Sequence, residues 1–142
     1  MTDSVFVYGT LKPGLRYHPV AQQGGAFEKE EAFLEGFELY HLHPENYPAL
    51  IPGKDKVYGW IYTYKNIDKA LVHLDELEGL HLQPPEYERV ITIAKPGEKR
   101  VWVYLFLNQA RLEKEGAVRL ESGVWAPQAS EAGLIPKGIQ EG

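Results

Sequence analysis

The segment Arg100 to Leu107 constrains this chain most. Read as a strand, it places Val101, Val103, Leu105 and Leu107 on one face and Trp102, Tyr104 and Phe106 on the other. A strand that is apolar on both sides must be covered on both sides. It therefore belongs at the centre of a sheet, or in a barrel packed by outer helices. The turn Lys95-Pro96-Gly97-Glu98 precedes it, and Tyr87 to Ala94 reads as its hairpin partner.

Further strands lie upstream. Ser4 to Tyr8 is a short apolar run that ends at Gly9. Phe33 to Leu42 reads as a strand with Gly36 as a kink or bulge, after a mixed stretch that begins at Ala26. Pro44 and Pro48 are expected to break regular structure. Val57 to Tyr64 alternates cleanly, with Tyr58, Trp60, Tyr62 and Tyr64 on one face. Leu15 to Gly25 is loop or short helix. The expected fold is a single α+β domain over residues 1–142, with a mostly antiparallel sheet and few helices. Its Gly-, Ala- and Pro-rich end packs at most through Val124 and Trp125, and residues from about 127 to 142 form a loosely packed tail.

Composition removes whole classes of chemistry. The chain has no cysteine, so thiolate nucleophiles, thiolate zinc sites and disulfides are absent. Fifteen Lys and Arg against twenty Asp and Glu give a net charge of −5, with no basic surplus for nucleic acid or anionic lipid. No apolar run is long enough to span a bilayer and no signal-peptide pattern opens the chain, so a cytoplasmic protein is expected. Any catalysis must use histidine, carboxylates, hydroxyls or backbone groups.

The one helix with a clear pattern carries the most informative residue. Asn66 is a candidate N-cap, Ile67, Ala70, Leu71, Leu74 and Leu77 follow helical spacing, and Gly79 can terminate the helix in the left-handed region. With about 100° per residue, Glu78 falls between Leu71 and Ile67 on the wheel. If the helix runs through its last turn, Glu78 lies on the apolar face. Burial and the negative end of the helix then raise its pKa towards the range of a general base. If the helix frays by Leu77, Glu78 turns to solvent and meets Arg89.

A second feature is Tyr8-Gly9-Thr10-Leu11-Lys12-Pro13-Gly14, directly after a buried strand. It reads either as a plain turn or as a cradle of backbone amides for an anion. It is not a P-loop, because Leu15 and Arg16 stand where Lys and Ser or Thr are required.

These features occur in order with several others. Val5-Phe6-Val7-Tyr8-Gly9-Thr10-Leu11-Lys12-Pro13-Gly14 is followed by Gly36-Phe37-Glu38-Leu39-Tyr40, Tyr47-Pro48-Ala49-Leu50 and Gly59-Trp60-Ile61-Tyr62. Leu74-Asp75-Glu76-Leu77-Glu78-Gly79, Tyr87-x-Arg89, Val101-Trp102-Val103-Tyr104 and Ser122-Gly123-Val124-Trp125 complete the set. Over roughly residues 4 to 126 the chain resembles the gamma-glutamylcyclotransferase-like superfamily. The nearer branch is that of the small gamma-glutamylamine cyclotransferases and the plant avirulence-induced proteins.

The resemblance implies a small, mostly antiparallel β-barrel with flanking helices. It also implies cyclisation of a small-molecule gamma-glutamyl amide to 5-oxoproline and a free amine, without metal or cofactor. Glu78 takes the role of general acid/base, and Tyr8, Gly9, Thr10 and Leu11 bind the substrate. Tyr87 and Arg89 are candidates for orienting Glu78 or binding carboxylate; a core role for Tyr8 and a surface ion pair for Arg89 stay open. Val124 departs from the pattern where an acidic residue is expected, and Tyr58 and Trp60 place bulky rings beside a pocket.

Two rival readings accompany this one. In a metal-binding barrel, His41 and His43 would share a strand face with Glu45 nearby. In a non-enzymatic module, the cavity would bind a small molecule without turning it over.

Overall fold

The elements, in chain order, are β1 (Ser4–Val7), α1 (His18–Gln22), β2 (Phe27–Leu42), β3 (Tyr47–Tyr64), α2 (Ile67–Leu77), β4 (Tyr87–Ala94), β5 (Lys99–Phe106), α3 (Gln109–Leu112) and β6 (Ala117–Arg119). They come from a computed structural model that describes residues 2–127; most of the expected tail lies outside the described residues. The strands form one mixed sheet in the order β4-β5-β1-β3-β2-β6. The two-faced strand β5 is internal, between β4 and β1, as its pattern requires. Its pairing with β1 is parallel, with Val5 opposite Trp102; the other strand pairs are antiparallel.

The sheet is curled into a half-barrel. β2 and β3 run 16 and 18 residues, and the register shifts between Glu35 and Phe37, where Gly36 takes φ 91°. A bulge of this kind bends the strand and strengthens its twist. The bend brings β2 back to the end of β4, where Phe33 and Lys95 exchange both backbone hydrogen bonds at 2.8 Å.

The two faces of the sheet bury two cores. Inside the curl lie Phe6, Leu34, Leu50, Ile61, Val101 and Trp125. On the other face, α2 packs Ile67, Ala70, Leu71 and Leu74 against Tyr62, Tyr64 and Tyr104. The alternation in β3 thus feeds both cores: Tyr62 and Tyr64 face the helix, while Val57 and Ile61 face the interior. Gly59 lets β1 approach β3 closely, since a Cβ there would clash with the carbonyl oxygen of Val7.

Helix α2 begins as its sequence indicates. The Asn66 side chain accepts the Lys69 N–H at 3.2 Å. Asn66→Ala is expected to cost about 1 kcal/mol, measured by urea unfolding. At the other end the helical turn carries through Glu78, whose N–H donates to Leu74 O at 2.9 Å, and Gly79 ends it at φ +77°. The helix does not fray at Leu77.

Some elements differ from the sequence reading. Pro48 does not interrupt regular structure; it lies inside β3 opposite His41. The reason is that β1 pairs with β3 only over Trp60–Thr63. The first half of β3 therefore has a strand on one side only, and a residue without an N–H is tolerated on its open edge. β2 starts at Phe27, six residues before the expected strand. β6 and α3 have too few residues to show a period. Val124 is 49% exposed while Trp125 is 1% exposed, so of these two side chains it is the tryptophan that packs into the core.

Candidate active site

A cavity of about 150 Å³ opens where six segments meet. The end of β1 and the loop Tyr8–Leu11 form its floor, and Tyr17, Tyr47 and Pro48 form one wall. Leu77 and Glu78 come from the end of α2, Glu86 and Tyr87 from the start of β4, and Tyr104 from β5.

The Tyr8–Leu11 loop is held through its carbonyl groups. Gly9 O accepts from Lys12 N at 3.0 Å, Thr10 O from Tyr17 N at 2.9 Å, and Leu11 O from the Tyr62 hydroxyl at 2.7 Å. Among the described residues, none accepts from the N–H groups of Gly9, Thr10 or Leu11. Three successive amides without a protein acceptor, at a cavity floor, make a receptor for an anion or a polarised oxygen. Gly9 is required there because a Cβ would lie 2.2 Å from Pro48 Cγ.

Glu78 stands at the end of α2 with its carboxyl inside this cavity. No hydrogen-bond donor among the described residues reaches it. Burial, with the charges of Glu86 and Asp75 adding to it, pushes its pKa up to about 8. The surrounding tyrosines spend their protons elsewhere. Tyr8 donates to Tyr104 O, Tyr87 to Pro48 O and Tyr104 to Asp75 Oδ1, each at 2.6 Å. Burial and the nearby carboxylates hold all three phenols above their ordinary range. A half-buried carboxylate beside neutral phenols, with no donor of its own among the described residues, is poised to receive a cationic or N–H group from a ligand.

The structure brings Glu78, Tyr8, Gly9, Thr10, Leu11 and Tyr87 together around the cavity. Arg89 is not on its wall. Its guanidinium grips Asp75 through two bonds of 2.8 and 3.1 Å and lies 4.3 Å from the centre of the Trp102 ring. Asp75 precedes Glu78 by one helical turn, so Arg89 bears on Glu78 through the charge it balances. Asp75→Asn removes a negative neighbour and is expected to lower the Glu78 pKa, by less than about one unit for a part-solvated charge. Arg89→Met is expected to raise it. A carbon-13 titration of the Glu78 carboxyl reads both directions, and equal, same-sign shifts would contradict the arrangement.

Sequence reasoning did not single out Tyr17, Tyr47, Glu86 or Tyr104 for this site. Glu86 adjoins Tyr87, which was the available signal; the others are aromatic residues indistinguishable in sequence from core. The residues of the metal reading are engaged in structure. His41 is 4% exposed, accepts from Trp125 Nε1 at 3.0 Å and stacks on that ring. Glu45 is paired with Arg111 at 2.7 and 2.8 Å. Among the described residues no three His, Asp or Glu side chains converge as metal ligands.

The cavity can be set beside known proteins. The structure is similar to that of an AIG2-like protein of Mus musculus, with 26% identity and a TM-score of 0.63 over 89% of this chain and 96% of that one. It has the fold of an uncharacterised protein of Pyrococcus horikoshii, with 22% identity and a TM-score of 0.64 over 87% and 89% of the two chains. A protein of Arabidopsis thaliana is 26% identical with a TM-score of 0.55, over 75% and 69%. A sequence comparison with curated proteins returns no match. The family model described as "Gamma-glutamyl cyclotransferase, AIG2-like" matches residues 5–127. The match takes in every segment that meets at the cavity, and the chain belongs to the gamma-glutamyl cyclotransferase, AIG2-like family.

Proposed function

We propose that the protein cyclises a gamma-glutamyl amide, releasing 5-oxoproline and a free amine, with Glu78 as the general acid/base. The observation that carries this reading is the Glu78 carboxyl itself. It is half-buried, meets no protein donor among the described residues, and shares the cavity lining with the Tyr8–Leu11 loop and its unpaired amides.

Such a substrate brings its own nucleophile, so neither a serine nor a cysteine is needed. Its α-ammonium beside Glu78 is the missing compensating charge, and it favours the carboxylate form. Glu78 takes a proton from the ammonium, and the freed amine attacks the γ-carbonyl carbon. A C–N bond forms and negative charge develops on the carbonyl oxygen, where the N–H groups of Gly9, Thr10 and Leu11 are available to donate. Glu78 then delivers its proton to the leaving nitrogen, and the old C–N bond breaks. Over the cycle the attacking nitrogen loses two protons, the leaving amine gains two and departs as ammonium, and Glu78 is regenerated. Closure of a five-membered ring is intramolecular, so holding the chain bent supplies a large part of the acceleration.

The test incubates the protein with gamma-glutamyl alkylamides, diamine monoamides and dipeptides, and measures 5-oxoproline and released amine together. Equimolar release of both is the expected result. Saturable binding of these compounds with no release would assign the cavity to a binding module instead.

A further inference from the structure

Leu11, the last residue of the amide loop, has a carbonyl with two hydrogen-bond partners. The Tyr62 hydroxyl donates to it at 2.7 Å, and His18 Nδ1 lies 3.0 Å from it. The same Nδ1 is 3.2 Å from the Tyr62 hydroxyl oxygen. Neither His18 nor Tyr62 lines the cavity.

This geometry locates the proton of the imidazole. A carbonyl oxygen only accepts, so a nitrogen bonded to Leu11 O carries the hydrogen. Tyr62 has a single proton, and it is directed to the closer partner, Leu11 O. A bare Nδ1 would face two oxygens with nothing to accept. Nδ1 therefore donates, which it does both as the neutral Nδ1–H tautomer and as the imidazolium.

The ring is fixed in its turn. His18 opens α1, and its N–H donates to Leu15 O at 3.1 Å. Its imidazole meets Phe27 of β2 and Tyr62 of β3 edge-on, with centroids 5.9 and 5.8 Å away at 74° and 77°. The residue before it, Tyr17, donates its N–H to Thr10 O at 2.9 Å. The peptide unit of Thr10 O is also the one that carries the Leu11 N–H. Residues 17 and 18 thus pin the two peptide planes on either side of the Leu11 Cα, and with them the direction of the Leu11 N–H. One donor, Tyr62, already satisfies the carbonyl; the second adds direction.

We propose that His18 is a positioning residue for the cyclisation: by donating from Nδ1 to Leu11 O, it holds the Leu11 amide where the developing oxyanion needs it. This rests on the cyclotransferase reading of the site. A donor held in place beforehand spends no energy on turning as charge develops, so its misplacement acts on kcat more than on KM.

The experiment measures kcat and KM for a gamma-glutamyl alkylamide in wild type, His18→Phe and His18→Asn. Phenylalanine keeps a ring between Phe27 and Tyr62 but has no donor. Asparagine loses the ring but can place an amide N–H where Nδ1 stood. His18→Phe is expected to lower kcat about tenfold with a smaller change in KM, and His18→Asn to recover most of it. A packing role predicts the reverse order, with phenylalanine the milder change. Nitrogen-15 spectra of the ligand-free wild type check the proton directly, and Nδ1 of His18 is expected to be protonated.

Unchanged kcat in His18→Phe overturns the proposal, as does a loss in His18→Asn equal to or greater than that in His18→Phe. A His18 ring protonated on Nε2 alone overturns it as well, whether or not the variants fold. These outcomes leave cyclisation standing. Absence of 5-oxoproline from wild type with every gamma-glutamyl amide overturns the cyclotransferase reading and this proposal with it.

Discussion

Glu78→Gln is expected to lower kcat/KM for any accepted gamma-glutamyl amide by roughly 10²–10⁴-fold, the usual contribution of a positioned acid/base. The same substitution is expected to stabilise the fold in alkaline solution, and the two effects together separate a catalytic carboxylate from a structural one. In the folded protein the Glu78 pKa is pushed up to about 8, against an ordinary value of 4.5. Between those values the folded state holds a proton that the unfolded chain has lost, so stability falls as pH rises through the interval. At roughly 1.4 kcal/mol for each pH unit, the penalty of the ionised form approaches about 4–5 kcal/mol above pH 8. Glutamine has nothing to titrate and escapes it.

Thermal melts of wild type and Glu78→Gln from pH 5 to 9 test this. The wild-type melting temperature should fall towards pH 8 and the variant's should hold. Parallel curves would show that the carboxyl is not taken out of water. The activity of wild type should in turn rise with pH on a limb near 8 for the empty enzyme, because the base must be ionised to accept the substrate's proton.

Trp125→Ala should give the largest loss of stability, about 3–5 kcal/mol in denaturant unfolding. Trp125 is among the largest fully buried side chains. It fills the inside of the curl beside Leu39 and Leu50, its Nε1–H donates to His41 Nδ1 at 3.0 Å, and its carbonyl accepts from Lys12 Nζ at 2.6 Å. Lys12 follows Leu11 directly. Loss of the tryptophan is therefore expected to loosen the amide loop as well, raising KM for ligands bound there. Trp125→Phe keeps most of the volume and should lie between wild type and alanine. A loss below about 1 kcal/mol for alanine would mean that the C-terminal segment contributes nothing to the core.

Much of this was legible in residue order. The two-faced strand Lys99–Phe106 announced an internal position in the sheet, and the aromatic alternation up to Tyr64 announced a strand. Asn66 and Gly79 marked the ends of α2. The wheel put Glu78 on its apolar face, provided the helix reached that far. Period, cap and turn chemistry act over a few residues, so they can be read from a few residues.

What the sequence could not decide is what meets what. Only the folded chain carries α2 through Glu78, so that this carboxyl enters a cavity instead of turning towards Arg89. Arg89 itself is drawn to Asp75 and away from the wall, and Tyr47 meets Glu86 across 39 residues of chain. Lys12 reaches Trp125 across 113. Pro48 sits inside a strand because β1 is too short to cover that edge. Spacing along a chain determines which face a side chain occupies. Burial, charge balance and pKa depend on neighbours brought from elsewhere by packing, and at Glu78 those neighbours turn an ordinary glutamate into a candidate base.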